Sequence, residues 1–336
     1  MYLKPKIIVV AGAHSNVGKT TLCLKLKKLF SDSAVIKLGH GKPKKNVGNI
    51  FYPSSTDFKE IQRKFSAVQY LIVESNAVLE HINPELVIFL DGDKPKASAK
   101  KARERADILS GKRVDKSILQ KISLQLQVPE SLLTRVAWLA GARPEPVSAI
   151  ILAGGQSRRM GEDKTKMQIA GTTMLQHIYE QLNICFDAVI VGTNKPKNEF
   201  NHLDNAVFIP DQQKSQGPLM GLFSTLQASG TRLNFVTGCD IPIMNMFAVR
   251  ELLTSTMDND IALASFKRGM VEPLYAVYNK KVANKAEKLL ITGHRRIADL
   301  FPLFATEITE FTNSSWYHNI NTRKDFMNYL GDHERA

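Results

Sequence analysis

The chain has 336 residues, 43% of them hydrophobic and 23% charged, which is enough for more than one core and unlike the composition of a disordered chain. Its three cysteines (Cys23, Cys185, Cys239) and eight histidines are scattered without a C-x-x-C pair or a His-rich helix face, so a disulfide framework or structural zinc site has no support. The formal net charge of +13 sits almost wholly in residues 1–146, with 25 Lys+Arg against 13 Asp+Glu; residues 147–336 carry 20 against 19, and the basic half lacks the interleaved aromatics of a nucleic-acid platform.

In chain order, residues 6–10 read as a buried strand, 20–30 as a helix with apolar spacing, and 34–38 as a second strand, the start of a βαβ unit. The first run is too short for a signal or membrane segment, so a soluble, cytoplasmic protein without a membrane partner is expected. Short apolar runs at 70–73 and 86–90 continue a parallel sheet, and the charged stretch 94–113 reads as a solvated helix or loop. Residues 115–139 have helical spacing interrupted at Pro129, and ARPEP at 142–146 supplies linker punctuation. Three segments are therefore expected: 1–112, a helical and Pro-rich connector 113–146, and 147–336. The last alternates strand-like runs at 147–152, 188–191, 206–209 and 235–237 with helical patterns at 174–182 and 222–228, which describes a second, largely parallel sheet.

The first motif is AHSNVGKT at 13–20, between predicted strand and helix. Gly18 suits a tight turn whose N–H groups surround phosphates, Lys19 is a point charge among them, and Thr20 is a candidate magnesium ligand. Ala13, Asn16, Val17 and Thr21 complete the expected nucleotide-binding set. A capped turn with no ligand is the plain alternative. No apolar strand ending in Asp follows closely; Glu74 and Asp91 are the two candidates for a metal-side carboxylate, and no guanine-reading motif identifies the base. The region resembles the adapter protein of molybdopterin-guanine dinucleotide synthesis, through residues 7–21, 35–40 and 71–74, and beyond Gly92 the likeness cannot be followed. The resemblance implies a P-loop domain that binds GTP and assists a guanylyltransferase.

The second motif is LAGGQSRRMGEDK at 152–164, directly after a predicted strand. Gly154 and Gly155 let main-chain N–H groups approach a triphosphate, Arg159 and Lys164 place positive charge around it, and Leu152, Ala153 and Ser157 complete the expected nucleotide-binding set. Asp163 either orients Lys164 or lies in solvent. Asp240, just beyond a short strand, is a candidate magnesium carboxylate, although an Asp before Ile-Pro also starts turns.

This half resembles the molybdenum cofactor guanylyltransferases and, less closely, cytidylyl- and sugar-nucleotide transferases of the same Rossmann-like fold. The likeness implies that Asn194 and Asp211 hold the base and ribose side, that Gly217 and Gly221 belong to a loop closing over the nucleotide, and that Asp240 holds magnesium. It further implies that Arg295, Arg296, Asn319 and Asn321 approach the pterin and the metal–phosphate site. Where the family often has His-Pro, this chain has Glu272-Pro273.

The resulting expectation is an α/β protein of two domains, a P-loop NTPase-like parallel sheet and a nucleotide-diphospho-sugar-transferase-type domain. It would transfer GMP from Mg-GTP to molybdenum-molybdopterin, with Arg159, Lys164 and Asp240 as catalytic residues and cofactor-insertion proteins or molybdoenzymes as protein partners. Cytidylyl transfer to the same pterin and a non-catalytic sensor of GTP and cofactor are the alternatives.

Overall fold

A computed structural model describes residues 4–39, 50–154, 163–169, 171–200, 202–267, 269–312 and 314–333. The chain divides between Glu145 and Pro146 into two units, Met1–Glu145 and Pro146–Ala336.

The first unit is built on β1 (Lys6–Gly12), α1 (Lys19–Leu29), β2 (Ser33–Gly39), β3 (Ile50–Pro53), α2 (Phe58–Lys64), β4 (Tyr70–Glu74), β5 (Leu86–Leu90), α3 (Ala97–Glu104), β6 (Ile108–Leu109), α4 (Lys116–Leu126) and α5 (Glu130–Leu139). The strands form one sheet in the order β3-β2-β4-β1-β5-β6, paired in parallel throughout. β1 is central, and its alternation feeds two cores. Ile8 and Val10 pack with Leu22 and Leu26 of α1, while Ile7, Val9 and Ala11 pack with Phe58 and Ile61 of α2. A strand covered on both faces has no polar face, which explains its unbroken apolar run.

Two expectations are corrected here. The charged stretch 94–113 is not merely solvated: Ala99 and Ala102, three apart on one face of α3, are buried, as is Ile108. Small side chains seat that helix on the sheet while its lysines and arginines face outward. In 113–146, expected to be a helical segment and Pro-rich linker, the division does fall in the Pro-rich stretch, but the helical part is not separate from the first unit. Leu119, Ile122 and Leu126 of α4 and Leu133, Val136 and Ala137 of α5 join the α1 side of the core, so both helices belong to the first unit.

The second unit contains β7 (Val147–Leu152), a small hairpin of β8 (Gln168–Ile169) and β9 (Thr172–Thr173), α6 (Met174–Asn183), β10 (Ala188–Gly192), β11 (Val207–Ile209), α7 (Pro218–Ala228), β12 (Leu233–Gly238), α8 (Met246–Ser255), β13 (Ile261–Lys267), β14 (Met270–Asn279), α9 (Ala283–Ile291), β15 (Thr306–Glu310) and α10 (Arg323–His333). Its main sheet has the order β11-β10-β7-β12-β14-β13-β15. It is largely parallel, as expected, except that β14 runs antiparallel to both β12 and β13. The β13–β14 connection is too short for a crossover, and Gly269 (φ 77°) makes the turn that reverses the chain. β7, β10, β11 and β12 remain parallel, so their C-terminal ends, at Leu152, Gly192, Ile209 and Gly238, open on the same edge. Ligands of open α/β sheets bind at such an edge.

Candidate active site

A cleft of about 710 Å³ opens at this edge, lined by Leu152, Ala153 and Gly154 after β7, Gly192–Lys195 after β10, Asp211, Lys214 and Ser215 after β11, Gly217, Pro218 and Gly221 at the start of α7, and Leu274 of β14. Gly155, Ser157 and Arg159 of the expected triphosphate loop lie outside the described residues.

Asn194 and Asp211 are brought together from two strand ends. The Asn194 amide donates to Asp211 Oδ2 at 2.7 Å, and the Asp211 N–H returns a bond to Asn194 Oδ1 at 2.9 Å. That reciprocal pair satisfies both groups without a ligand and fixes the distance between the two loops. Gly221 closes against it: a Cβ there would stand 3.4 Å from Asp211 Oδ1. Gly217 adopts φ 76°, where a side chain would be strained and would meet the Arg295 carbonyl at 3.1 Å.

Lys164 and Asp240, 76 residues apart, form an ion pair with Nζ–Oδ2 3.2 Å, and Lys164 also donates to Asn321 Oδ1 at 3.3 Å. Their side chains are only 15% and 21% exposed, so this pair is partly withdrawn from water and interacts more strongly than a surface pair. Gly238 makes room beneath it: a Cβ there would stand well inside contact distance of Asp240 Oδ1, so a side chain would force the carboxylate to move. The preceding Cys239 is buried, and that burial, with Asp240 beside it, pushes its thiol up to about 12. It is a packing residue and not a nucleophile.

Asp163 neither touches Lys164 nor lies free. It accepts from the Thr165 N–H and hydroxyl and forms an ion pair with Lys195. Burial works against its charge, but hydrogen bonds from Lys195 and Thr165 outweigh this and hold its carboxyl below the usual range. Sequence reasoning missed Lys195, Lys214 and Ser215. A lysine directly after the β10 strand end was the available signal, and in a chain with 45 Lys and Arg it does not stand out.

Of the expected pterin-side residues, Asn319 and Asn321 meet Lys164 through one chain of bonds: Asn321 Nδ2 donates to Asn319 Oδ1 at 2.8 Å, and Asn319 Nδ2 to Glu272 Oε2 at 3.3 Å. Arg295 departs from expectation. Its Nη1 donates to the carbonyls of Leu290 and His294, where it closes the C-terminal end of α9, and its own carbonyl, close against Gly217, accepts from the Leu219 N–H at 3.2 Å. Arg296 is exposed.

In the first unit, the turn from β1 to α1 passes through Gly18 at φ 97°. Lys19 Nζ donates to the His14 carbonyl at 2.5 Å, and Thr20 Oγ1 donates to Glu74 Oε2 at 2.7 Å. Lys37 binds the other Glu74 oxygen at 2.6 Å. Lys96 reaches back to Ser15 Oγ at 3.0 Å. Burial lowers the Lys19 pKa; Glu74 opposes this, and the nearby Lys37 and Lys96 add to it. Of the two candidate carboxylates, Glu74 is bonded to Thr20, while Asp91, between Leu90 and Gly92 that pack against the same turn, is paired with Arg103. Ala13 is buried, Asn16 adopts φ 69°, Val17 is half-buried, and Thr21 is exposed on α1.

The MobA-like NTP transferase domain model matches residues 149–305. A probable molybdenum cofactor guanylyltransferase of Methanosarcina mazei is 33% identical over 201 residues, covering 55% of this chain and 90% of that protein. The chain belongs to the MobA-like nucleotidyltransferase family. A molybdenum cofactor guanylyltransferase of Syntrophotalea carbinolica, 31% identical, covers 53% of this chain and 88% of its own length. The fold of the MobA-like unit is shared with the crystal structure of molybdopterin-guanine dinucleotide biosynthesis protein A from Archaeoglobus fulgidus, at TM-score 0.50 and 21% identity, covering 56% of this chain and all of that one. The MobA-like unit is thus a nucleotidyltransferase of Rossmann-like α/β fold, with relatives named for molybdenum cofactor synthesis.

Proposed function

We propose that the second unit transfers GMP from GTP to the phosphate of molybdenum-molybdopterin, releasing pyrophosphate. The observation that carries the reading is the Lys164–Asp240 pair held at 3.2 Å beside a cleft framed by Leu152–Gly154, Asn194–Asp211 and Gly217–Gly221. The names of the relatives favour guanine over cytosine.

The nucleophile is an ionised phosphate, so no general base is required, and the protein's task is placement and charge. Leu152–Gly154 offer main-chain groups to the triphosphate. Lys164, now paired with Asp240 and hydrogen-bonded to Asn321, would turn to the phosphates and offset the charge that grows on the departing pyrophosphate. Arg159 would add to this, and Asn194 with Asp211 would hold the base and ribose side. Magnesium fits the donors present, because Asp240 and Asn321 offer hard oxygens around one ammonium, and this ion is commonly held by one or two carboxylates with substrate phosphates. Bound there, it would neutralise triphosphate charge. Asn319 and Arg296 stand as pterin contacts; Arg295 would serve mainly to hold the start of α7.

For the first unit the reading is a GTP-binding P-loop domain that assists its neighbour. Support comes from Lys19 at the start of α1, from the Thr20–Glu74 bond, which places a carboxylate behind the expected magnesium-side hydroxyl, and from the three lysines Lys19, Lys37 and Lys96 around one turn. The deciding experiment is pyrophosphate release with each nucleoside triphosphate, with and without molybdopterin. Release that requires both GTP and molybdopterin is expected, whereas release with CTP alone among the four, or binding without release, would replace this reading.

A further inference from the structure

Glu272 lies on β14, outside every role considered so far, and its carboxylate is the far end of the chain that reaches Lys164. Oε2 accepts from the Tyr317 hydroxyl at 2.6 Å and from Asn319 Nδ2 at 3.3 Å, and Oε1 accepts from the Leu274 N–H at 3.2 Å. We propose that Glu272 is a positioning residue for nucleotidyl transfer, whose carboxylate fixes the direction of a two-asparagine relay that ends with an acceptor on Lys164. The proposal rests on reading the cleft as the transferase site.

The direction follows from what each group can do. A carboxylate only accepts and an ammonium only donates, whereas an amide does both and can be turned round. Facing Glu272, Asn319 must present its NH2; its carbonyl oxygen then faces Asn321, which presents its own NH2 at 2.8 Å and leaves its carbonyl oxygen for Lys164 at 3.3 Å. Both ends of the relay demand the same polarity. Reversed, it would set an NH2 group against the Lys164 ammonium.

The backbone is held for this purpose at several points. The Ile320 N–H donates to the Asp240 carbonyl at 2.8 Å, and the Asn321 and Thr322 N–H groups donate to Asp325 Oδ2 at 3.1 and 2.8 Å. Tyr317, bonded to Glu272, stacks on Phe266 with ring centroids 3.8 Å apart. With the main chain pinned on both sides of Asn321, turning the amides is the freedom that remains; Glu272, with the Tyr317 hydroxyl it holds 3.4 Å from Asn319 Nδ2, opposes it from one end as Lys164 does from the other.

The test compares the full-length wild type with Glu272→Gln, Asn321→Asp and the double variant. The readouts are kcat and KM for GTP in transfer to molybdopterin, and the rate at which an amine-reactive reagent modifies Lys164, followed by peptide mass spectrometry. Glu272→Gln keeps the shape but lets the relay reverse, so kcat should fall roughly tenfold, the scale of one hydrogen bond to a charged group, with KM changed less than about threefold. Lys164 should be modified several-fold faster. A carboxylate at position 321 accepts whichever way Asn319 points, so in the Asn321→Asp background Glu272→Gln should add less than about a twofold effect. Full additivity, or a Glu272→Gln variant with wild-type kcat and wild-type labelling, overturns the proposal. A wild type that transfers no nucleotide defeats the functional reading instead, and the labelling rates then decide the relay alone.

Discussion

Asp240 owes its position to the residue two before it. With no side chain, Gly238 lets the carboxylate fold back over the end of β12 and meet Lys164, and a methyl group there would displace it. Lys164→Ala and Asp240→Ala should each lower turnover by roughly two or more orders of magnitude, the scale of losing one electrostatic contact to a transition state, with the unfolding midpoint nearly unchanged. Gly238→Ala should lower kcat by a comparable factor while both charged residues are present; wild-type kcat in that variant would mean that the Asp240 position is not critical. Cys239, adjacent to the reacting centre, should remain unmodified by iodoacetamide at pH 8, because its thiol is pushed up to about 12 and lies buried. Lys164 and Asp240 stood out in the sequence as candidates because of their residue types and spacing, and the structure pairs their side chains. Lys195 did not stand out, and Glu272 stood out only as a departure from the family's His-Pro, because their bonds are to partners 32 and 47 residues away that only the fold supplies.

Helix α10 does more than close the chain. Its entrance is a capping arrangement in which the Asp325 N–H donates to Thr322 Oγ1 at 3.2 Å, while Asp325 Oδ2 takes the Asn321 and Thr322 N–H groups. The Thr322 hydrogen bonds, the Asn321 N–H and the charge of Lys164 together hold the Asp325 carboxyl below its ordinary value despite slight desolvation. A carboxyl depressed in the folded state contributes stability that is present above the unfolded value, near 3.9, and is lost as pH falls through the folded value. Asp325→Ala should therefore cost about 1 kcal/mol at pH 7, in the range of a lost cap, and the difference from wild type should shrink below about pH 4. Chemical denaturation at pH 7 and pH 3 measures this directly; an equal difference at both would remove the charge from the account. Elements with an apolar run, such as β1 and β5, were visible in the sequence because burial on both faces leaves no polar position, and β7 shows the same pattern apart from the buried Ser148. β3 and α2 were missed because their signals are short, and the antiparallel placement of β14 was missed because an apolar strand carries no mark of direction.

At the scale of the chain, residues 1–146 carry 25 Lys+Arg against 13 Asp+Glu, with near balance afterwards, which is what the proposed pair of different anion-handling tasks would require. The second unit gathers its cations, Lys164 and Lys195, against carboxylates that keep them placed. The first unit leaves Lys19, Lys37 and Lys96 in mutual repulsion around one turn, with Glu74 as the counter-charge. A polyphosphate at that turn would relieve the repulsion, so its affinity should fall steeply with ionic strength. The full chain should bind two GTP molecules by calorimetry in the presence of magnesium. Lys19→Ala should weaken one of them by about tenfold or more, the loss expected for a hydrogen bond to a charged group, leaving a single measurable site whose occupancy still supports transfer. If two equivalents bind as tightly to Lys19→Ala as to wild type, the turn between β1 and α1 is only a fold element. If transfer is abolished while the second site still binds, the first unit is an obligatory part of the reaction and not an assistant to it.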